Sequence, residues 1–574
     1  MNIFDVSSNL RPVDTDMRAH TTLAPVRVLK TYGNVKGAEN LTVRREPQIA
    51  IYHYTDQTTL INSHGSEHAA VLVDFGSELH GFLRLLVWNS GGSKKVRVSL
   101  GESAMEALTP IGVKNTTNDH ANRDMVMNIN PWSANETNES GFRFAYVELL
   151  DEPAEGERDA ALQLCALEAT LIYRDIEYKG TFESSDPMVD QIYKTAAYTV
   201  HLNMQRFLWD GIKRDRLVWA GDMNTELLTI AAVFGNDSVI PRSLDFVKNI
   251  TPSGTWMNGI SAYSIWWLIC HHDWYMATGD FEYLCEQKDY LLDLGERMIS
   301  FVGDDGSENL PQRRFFDWPN DSKPVSKHAG LQGLLKMGLE KCSFMLSRMG
   351  ESYAAMQCST AADKMNAHNP DPDGAKQAAA MLVLSKIADA KQTYTDVIAP
   401  GGAAGYSTFL GYYTLAATAE AGEFDSALSV MKDYWGTMLN LGATTFWEDF
   451  DIEWAKNAAP LDTVFEDGDS RDGSRRSDDI HGDFGAYCYE KYRHSLCHGW
   501  SSGPAPWLAK YVLGINIVEP GCTKIKIEPH LCGLKFAKGT YPTPFGIISV
   551  HHTLDESGNI ISEINVPKGI EVVK

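Results

Sequence analysis

The sequence predicts a mixed, multidomain fold in the order β, α, β, and three observations predict it. Strand-like alternation fills the first part of the chain, helical periodicity takes over near residue 185, and alternation returns after about residue 512. The length of 574 residues agrees, because single hydrophobic cores stop growing at roughly 250–300 residues. The divisions expected are an N-terminal β-sandwich over 1–182, a helical domain over 183–512 and a small C-terminal β-sandwich over 513–574.

The first division rests on short β-rich runs broken by turn residues. Val71-Leu-Val-Asp-Phe-Gly76 and Gly81-Phe-Leu-Arg-Leu-Leu-Val-Trp88 are two. Lys95-Val-Arg-Val-Ser-Leu-Gly101 and Phe142-Arg-Phe-Ala-Tyr-Val-Glu-Leu149 alternate polar and apolar, as half-buried strands do. Several such strands at short intervals predict a sandwich. The second division opens at Ser185-Asp-Pro187, a capping side chain followed by Pro in the first turn. Val189, Ile192, Tyr193, Ala196, Ala197 and Val200 follow at helical spacing. Further helices are expected over 224–234, 262–278, 280–301, 331–349, 375–391, 407–421 and 424–441, a ring or solenoid of helical hairpins. The third division rests on Thr523-Lys-Ile-Lys-Ile-Glu-Pro529, on Ile560-Ile-Ser-Glu-Ile-Asn-Val566 and on the turn and strand from Pro542 to Val550.

Composition narrows the function. The net charge of −24 repels phosphate backbones, so nucleic acid is not an expected partner. The apolar runs, such as Ile265-Trp-Trp-Leu-Ile-Cys270, are too short to span a bilayer. The first residues lack the basic and apolar regions of a secretory signal, and the nine cysteines are scattered with no CxxC pair. These features predict reduced thiols and a cytoplasmic protein. The sequence leaves the subunit number open, with a homodimer among the options.

The segment richest in chemistry is Asp210-Gly-Ile-Lys-Arg-Asp-Arg-Leu-Val-Trp-Ala-Gly-Asp222. It carries Asp210, Asp215 and Asp222, the cations Lys213, Arg214 and Arg216, and Trp219. Sugar-handling sites want this mixture: a carboxylate binds neighbouring hydroxyls, an Arg fixes its orientation, and an indole covers an apolar sugar face. By composition alone a salt-bridged turn after a helix fits equally. Two further segments stand out, Gly442-Ala-Thr-Thr-Phe-Trp-Glu-Asp-Phe-Asp451 and Ser495-Leu-Cys-His-Gly-Trp500.

Taken together, these motifs resemble glycoside hydrolase family 78, the α-L-rhamnosidases. The first is similar to the family pattern D-x-P-x-R-D-E-R-x-x-W-x-G-D, with Ile212 in place of Pro and Asp215 alone where the family has adjacent Asp and Glu. The second resembles the G-A-T-T-x-W-E segment and the third the S-L-x-H stretch. The flanks agree: Asp74-Phe-Gly-Ser-Glu-Leu-His-Gly81, Leu100-Gly-Glu-Ser103 and Gly141-Phe-Arg-Phe144 resemble the preceding β-domain, and Pro542 through Ile547 the following one.

The resemblance implies a central (α/α)6 barrel and inverting hydrolysis of terminal α-L-rhamnose from short soluble glycosides or disaccharides, with no cofactor. Inversion uses one carboxylic acid on the leaving oxygen and one carboxylate that activates water, roughly 6.5–9.5 Å apart. Asp215 is the nearest match to the general acid, with Asp222 second, and Glu448 matches the base. Asp210, Arg214, Trp219, Asp222 and His498 become the expected rhamnose-binding set. Trp447, Trp500, Asp317 and Trp318 are further pocket candidates. An (α/α)6 glycosidase for another α-linked sugar, or a rhamnose-binding protein without catalysis, are the alternatives. His271-His-Asp273 is read as helix interior, and the acids of Glu466–Gly473 do not fall at the offsets of a calcium loop, so no metal is expected; Asp462 to Asp483 is read as a polar loop bordering the active site.

Overall fold

A computed structural model describes residues 16–45, 56–113, 115–116, 122–311, 313–465, 485–487 and 489–573. The N-terminal strands hydrogen-bond into one ten-stranded sheet. Its backbone is the eighteen-residue strand Ala70–Val87, which pairs on its two flanks with Asp159–Tyr173 and Ser140–Leu149. The ladder with Ser140–Leu149 shifts register between Asp74 and Leu79. The segment between them is Phe75-Gly-Ser-Glu78, turn-forming residues inside an apolar run, and the irregularity leaves Asp74 and Glu78 buried at the edge of the helical region. Leu83, Leu85, Val96, Val98, Val147 and Leu164 belong to one apolar core beneath this sheet.

The helical region opens where Asp186 caps Pro187–Asn203, its side chain accepting from the Met188 N–H. Six segments then contact one another in turn: Met223–Val233, Ser261–Thr278, Pro324–Arg348, Lys376–Leu384, Gly411–Glu420 and Pro504–Trp507. The last returns to the first, so the contacts form a closed ring. Its centre is aromatic, with Trp266 against Tyr413 at 5.0 Å between ring centroids and Tyr413 Oη donating to Asn224 across the ring at 2.6 Å. Burying each such side chain contributes about 1.5–3 kcal/mol. Outside lie helices such as Val239–Asn249, Ser352–Met365 and Phe424–Asn440.

The helix expected over 331–349 begins earlier, at Pro324, the one expected over 407–421 begins later, at Gly411, and two further expected helices are divided. The segment 280–301 is two helices, Phe281–Glu286 and Lys288–Ile299, started by Asp280, whose carboxylate accepts from Tyr283 N–H. The segment 375–391 stops at Leu384 and resumes at Ala390, where Asp389 caps the new start. No described helix is long and apolar enough to cross a membrane. The eight described cysteines are free.

The C-terminal strands form a four-stranded and a three-stranded sheet. The strand Thr181–Ser184, at the expected border of the first two divisions, pairs with Phe536–Thr543 and so joins the C-terminal sheet. Ile515, Ile525, Ile548 and Val550 share one continuous core with the helices.

Candidate active site

A cavity of about 630 Å³ opens at one end of the helical ring. The three motifs meet there although more than two hundred residues separate the first from the other two. Gly211 pairs with His498 as an isolated antiparallel bridge, and Gly499 N–H donates to the Asp210 carbonyl at 2.8 Å. Glu448 N–H donates to the Ser495 carbonyl at 3.0 Å. Gly499 is required by this close approach: a Cβ there would lie 1.5 Å from Glu226 Oε1. Gly221 is similar, with a Cβ position 2.2 Å from the Tyr263 ring.

Asp210, Arg214, Asp222, Glu448 and His498 form the buried base of the cavity, each at most 4% exposed. Arg214 links the two carboxylates expected to do chemistry. Its Nη2 contacts Glu448 Oε1 and its Nη1 lies 3.2 Å from Asp215 Oδ1, while Nε donates to the Arg493 carbonyl at 3.1 Å. The guanidinium lies over the Tyr489 ring, 5.2 Å from its centre. His498 Nε2 is 3.1 Å from Asp222 Oδ2, and its Nδ1 is 3.7 Å from Glu448 Oε1. Tyr263 Oη donates to the other Asp222 oxygen at 3.4 Å.

Burial and charge set different protonation preferences for these acids. Burial disfavours the Glu448 carboxylate, but Arg214 and His498 outweigh it and hold its pKa at about 2. Asp210 is pushed well above the usual carboxylate range, by burial first and then by Asp222 and Asp215. Burial also raises Asp222, against the opposing pull of His498. Behind them Glu226 is raised well above its ordinary value by burial, Asp222 and Asp210. The base of the cavity thus holds one carboxylate whose pKa is lowered among acids whose pKa values burial raises.

Asp215 occupies a distorted piece of backbone. It and Arg216 both have positive φ, 55° and 54°, and Arg216 N–H closes a three-residue turn on the Arg214 carbonyl at 2.7 Å. Residues other than Gly, Asn and Asp seldom adopt this region, so Arg216 is the more unusual of the two. The tight turn stands where the family pattern has one more residue.

Of the eleven residues singled out from sequence, nine line this cavity and two, Asp317 and Trp447, do not. Trp219, Trp318 and Trp500 are on its wall with Asp215. Trp447 is fully buried, edge-on to Phe450, and its neighbour Glu448 takes the cavity position. Asp317 caps the short helix beginning at Trp318, and burial raises its pKa to about 7. Nearby Asp449 is raised to about 8 by burial, Asp317 and Glu448. The polar loop expected to border the site, from Asp462 to Asp483, lies outside the described residues from residue 466 onward.

Sequence reading missed Tyr263, Arg313, Arg314, Phe315, Lys327, Tyr489 and Arg493, which also line the cavity. Arg313, Arg314 and Phe315 precede the recognised Phe316-Asp-Trp318 by one to three residues, so an Arg-Arg pair beside an aromatic segment was the available signal. Lys213 also proved to have a defined place. Its Nζ sits 3.0 Å from Glu102 and 3.1 Å from Glu106, both from the N-terminal region, and donates to the Tyr492 and His494 carbonyls. Glu102 in turn accepts from Leu496 N–H at 2.6 Å. Arg143 chelates Asp74 at 2.8 and 3.0 Å and donates to the Gly442 carbonyl, and Glu78 N–H donates to Thr444 Oγ1. The flanking motifs of the β-region therefore grip all three motifs of the cavity.

The comparisons with known proteins agree with this arrangement. Residues 177–355 match the family model for the bacterial α-L-rhamnosidase six-hairpin glycosidase domain. An α-L-rhamnosidase of Alteromonas sp. (strain LOR) is 24% identical over 485 residues, covering 75% of this chain and 47% of that protein. The chain thus spans about half the length of that curated relative. A family 78 rhamnosidase of Bacillus sp. GL1 superposes with a TM-score of 0.71 at 18% identity, over 93% of this chain and 55% of its own. A rhamnosidase of Klebsiella oxytoca, solved with rhamnose bound, gives 0.64 at 20% identity, over 86% and 96%. In its motifs, in its matched domain and in its fold, the chain is similar to the α-L-rhamnosidases of glycoside hydrolase family 78.

Proposed function

We propose that this protein is an inverting α-L-rhamnosidase that removes terminal α-L-rhamnose from short soluble glycosides. In this reading the ring of six helices and its outer partners is an (α/α)6 barrel, flanked by a β-sandwich on each side. The observation that carries the proposal is the convergence of Asp210, Arg214, Asp222, Glu448 and His498 on the base of one cavity. That set has the donors and acceptors a hydroxyl-rich ring needs, and Trp219 and Trp500 supply apolar faces.

Glu448 acts as base. A sugar hydroxyl that draws hydrogen bonds from Arg214 weakens the hold on Glu448 and raises its basicity when substrate is bound. Asp215 acts as acid, with its half-buried side chain on the cavity wall across Arg214 from Glu448. Asp210, Asp222 and His498 also present ligand atoms within 4.8 Å of one another, a spacing a cation would accept. Three donors with the Arg214 cation close by suit hydroxyls better than a divalent ion.

The test is turnover of p-nitrophenyl α-L-rhamnoside with the product followed by proton NMR from the first minutes. β-L-rhamnose as the first anomer supports inversion. α-L-rhamnose first would show retention, and no release of rhamnose from any rhamnoside would sink the reading.

A further inference from the structure

The mouth of the cavity differs in charge from both its base and the protein as a whole. The chain carries a net charge of −24, yet the more exposed part of the lining holds Arg313, Arg314, Lys327 and Arg493 against the two carboxylates of Asp215 and Asp321. Arg314 contacts buried Glu308, and Lys327 Nζ is 2.6 Å from Asp321 Oδ1. Arg313 is exposed and makes no ion pair among the described residues. Beside it runs an aromatic wall, with Phe315 against Trp318 at 5.0 Å and Trp318 against Tyr489 at 5.4 Å between ring centroids.

Like-charged groups gathered in one mouth repel each other, and in an acidic protein such a patch focuses anions locally. If terminal rhamnose fills the buried base, the glycosidic oxygen sits at the boundary and the next residue of the substrate occupies the mouth. We propose, resting on the rhamnosidase reading, that this next residue is an anionic sugar, a hexuronate whose carboxylate is held by Arg313. Arg314 and Lys327 add field without needing to release their partners, and Trp318 offers a face for the ring. A planar guanidinium matches a carboxylate bidentately, which a neutral leaving group cannot use.

The experiment compares three substrates with the whole protein: an α-L-rhamnosyl-D-glucuronate, its methyl ester, and p-nitrophenyl α-L-rhamnoside. The free acid is expected to exceed the ester by about tenfold in kcat/KM, mainly through KM, as one charge-assisted hydrogen bond gives. The preference should shrink as salt is raised. Arg313→Glu should cut the acid-to-ester ratio about tenfold, and Arg313→Lys should keep much of it. Equal efficiency on acid and ester, or a ratio that Arg313→Glu leaves in place, overturns the proposal. Cleavage of the p-nitrophenyl rhamnoside with neither disaccharide cleaved also overturns it, while the rhamnosidase reading stands. If none of the three is cleaved, the rhamnosidase reading fails instead. Calorimetry with D-glucuronate alone then decides the anion site: salt-sensitive binding lost in Arg313→Glu supports it, and no binding rejects it.

Discussion

Lys213 and Arg214 are consecutive, both are buried, and each faces two carboxylates, yet they serve opposite ends. Lys213 turns toward the β-region, where Glu102, Glu106 and two backbone carbonyls use its ammonium in full. Arg214 turns toward the cavity. Its guanidinium touches Glu448, Asp215 and one carbonyl, and it still lines open space. A compact ammonium suits a saturated anchor, and a planar fork suits a site that must hold two groups and leave an edge for a third. The difference teaches that a buried cation among acids is not itself a sign of catalysis. What separates the two is whether partners from the protein consume every donor or leave some facing a cavity.

The largest effect should come from the carboxylates on the Arg214 side. Glu448→Gln should lower kcat by roughly 10³-fold or more, the upper range for losing a general base, while thermal unfolding stays close to the parent. Asp215→Asn should be as severe on a disaccharide but much milder on p-nitrophenyl rhamnoside, whose leaving group departs with little protonation. If Asp215→Asn spares the disaccharide and Asp222→Asn does not, the acid is Asp222.

On the Lys213 side the expected damage is to stability. Lys213→Met leaves Glu102 buried without its cation and Glu106 with Arg123 alone, 3.7 Å away, and loss of one partner of a buried pair typically costs about 3–5 kcal/mol. Denaturant unfolding should show it directly. A variant that loses activity while keeping its unfolding midpoint would erase the distinction between the two residues, and Lys213 would have to act on the chemistry.

The contrast also marks how far the sequence could be read. The β, α, β order was legible because periodicities of two and 3.6 are written locally. Where the expected helix over 375–391 was divided, the capping residue Asp389 had restarted it inside a longer apolar pattern. Arg214, Glu448 and His498 were legible through motifs, which fix residue type and spacing. Lys213 was noticed only as one of three cations, because its partners Glu102 and Glu106 lie more than a hundred residues away in another region. Trp447 does not reach the cavity for a local reason: its side chain is buried against Phe450, and its neighbour Glu448 takes the open position. The cations of the mouth come from 313–327 and 493, segments without a motif, so only the folded chain brings them together.

The smallest expected effect is a displacement of a pH profile, and it tests the Arg214 side most closely. Burial alone would raise the Glu448 pKa, and Arg214, helped by His498, holds it at about 2. Because the folded value lies below the ordinary one, ionised Glu448 adds stability that is present above the unfolded pKa and lost as pH falls through about 2. The base is therefore ionised throughout the mildly acidic range. Arg214→Lys keeps the charge but loses the fork that spans Asp215 and Glu448. The folded pKa of Glu448 should then rise, and the acid limb of kcat/KM should move upward by about one pH unit. The measurement is kcat/KM on the p-nitrophenyl rhamnoside from about pH 1.5 to 8, with stability followed over the same range. An acid limb that stays in place while kcat/KM falls would mean that Arg214 binds substrate without tuning the base.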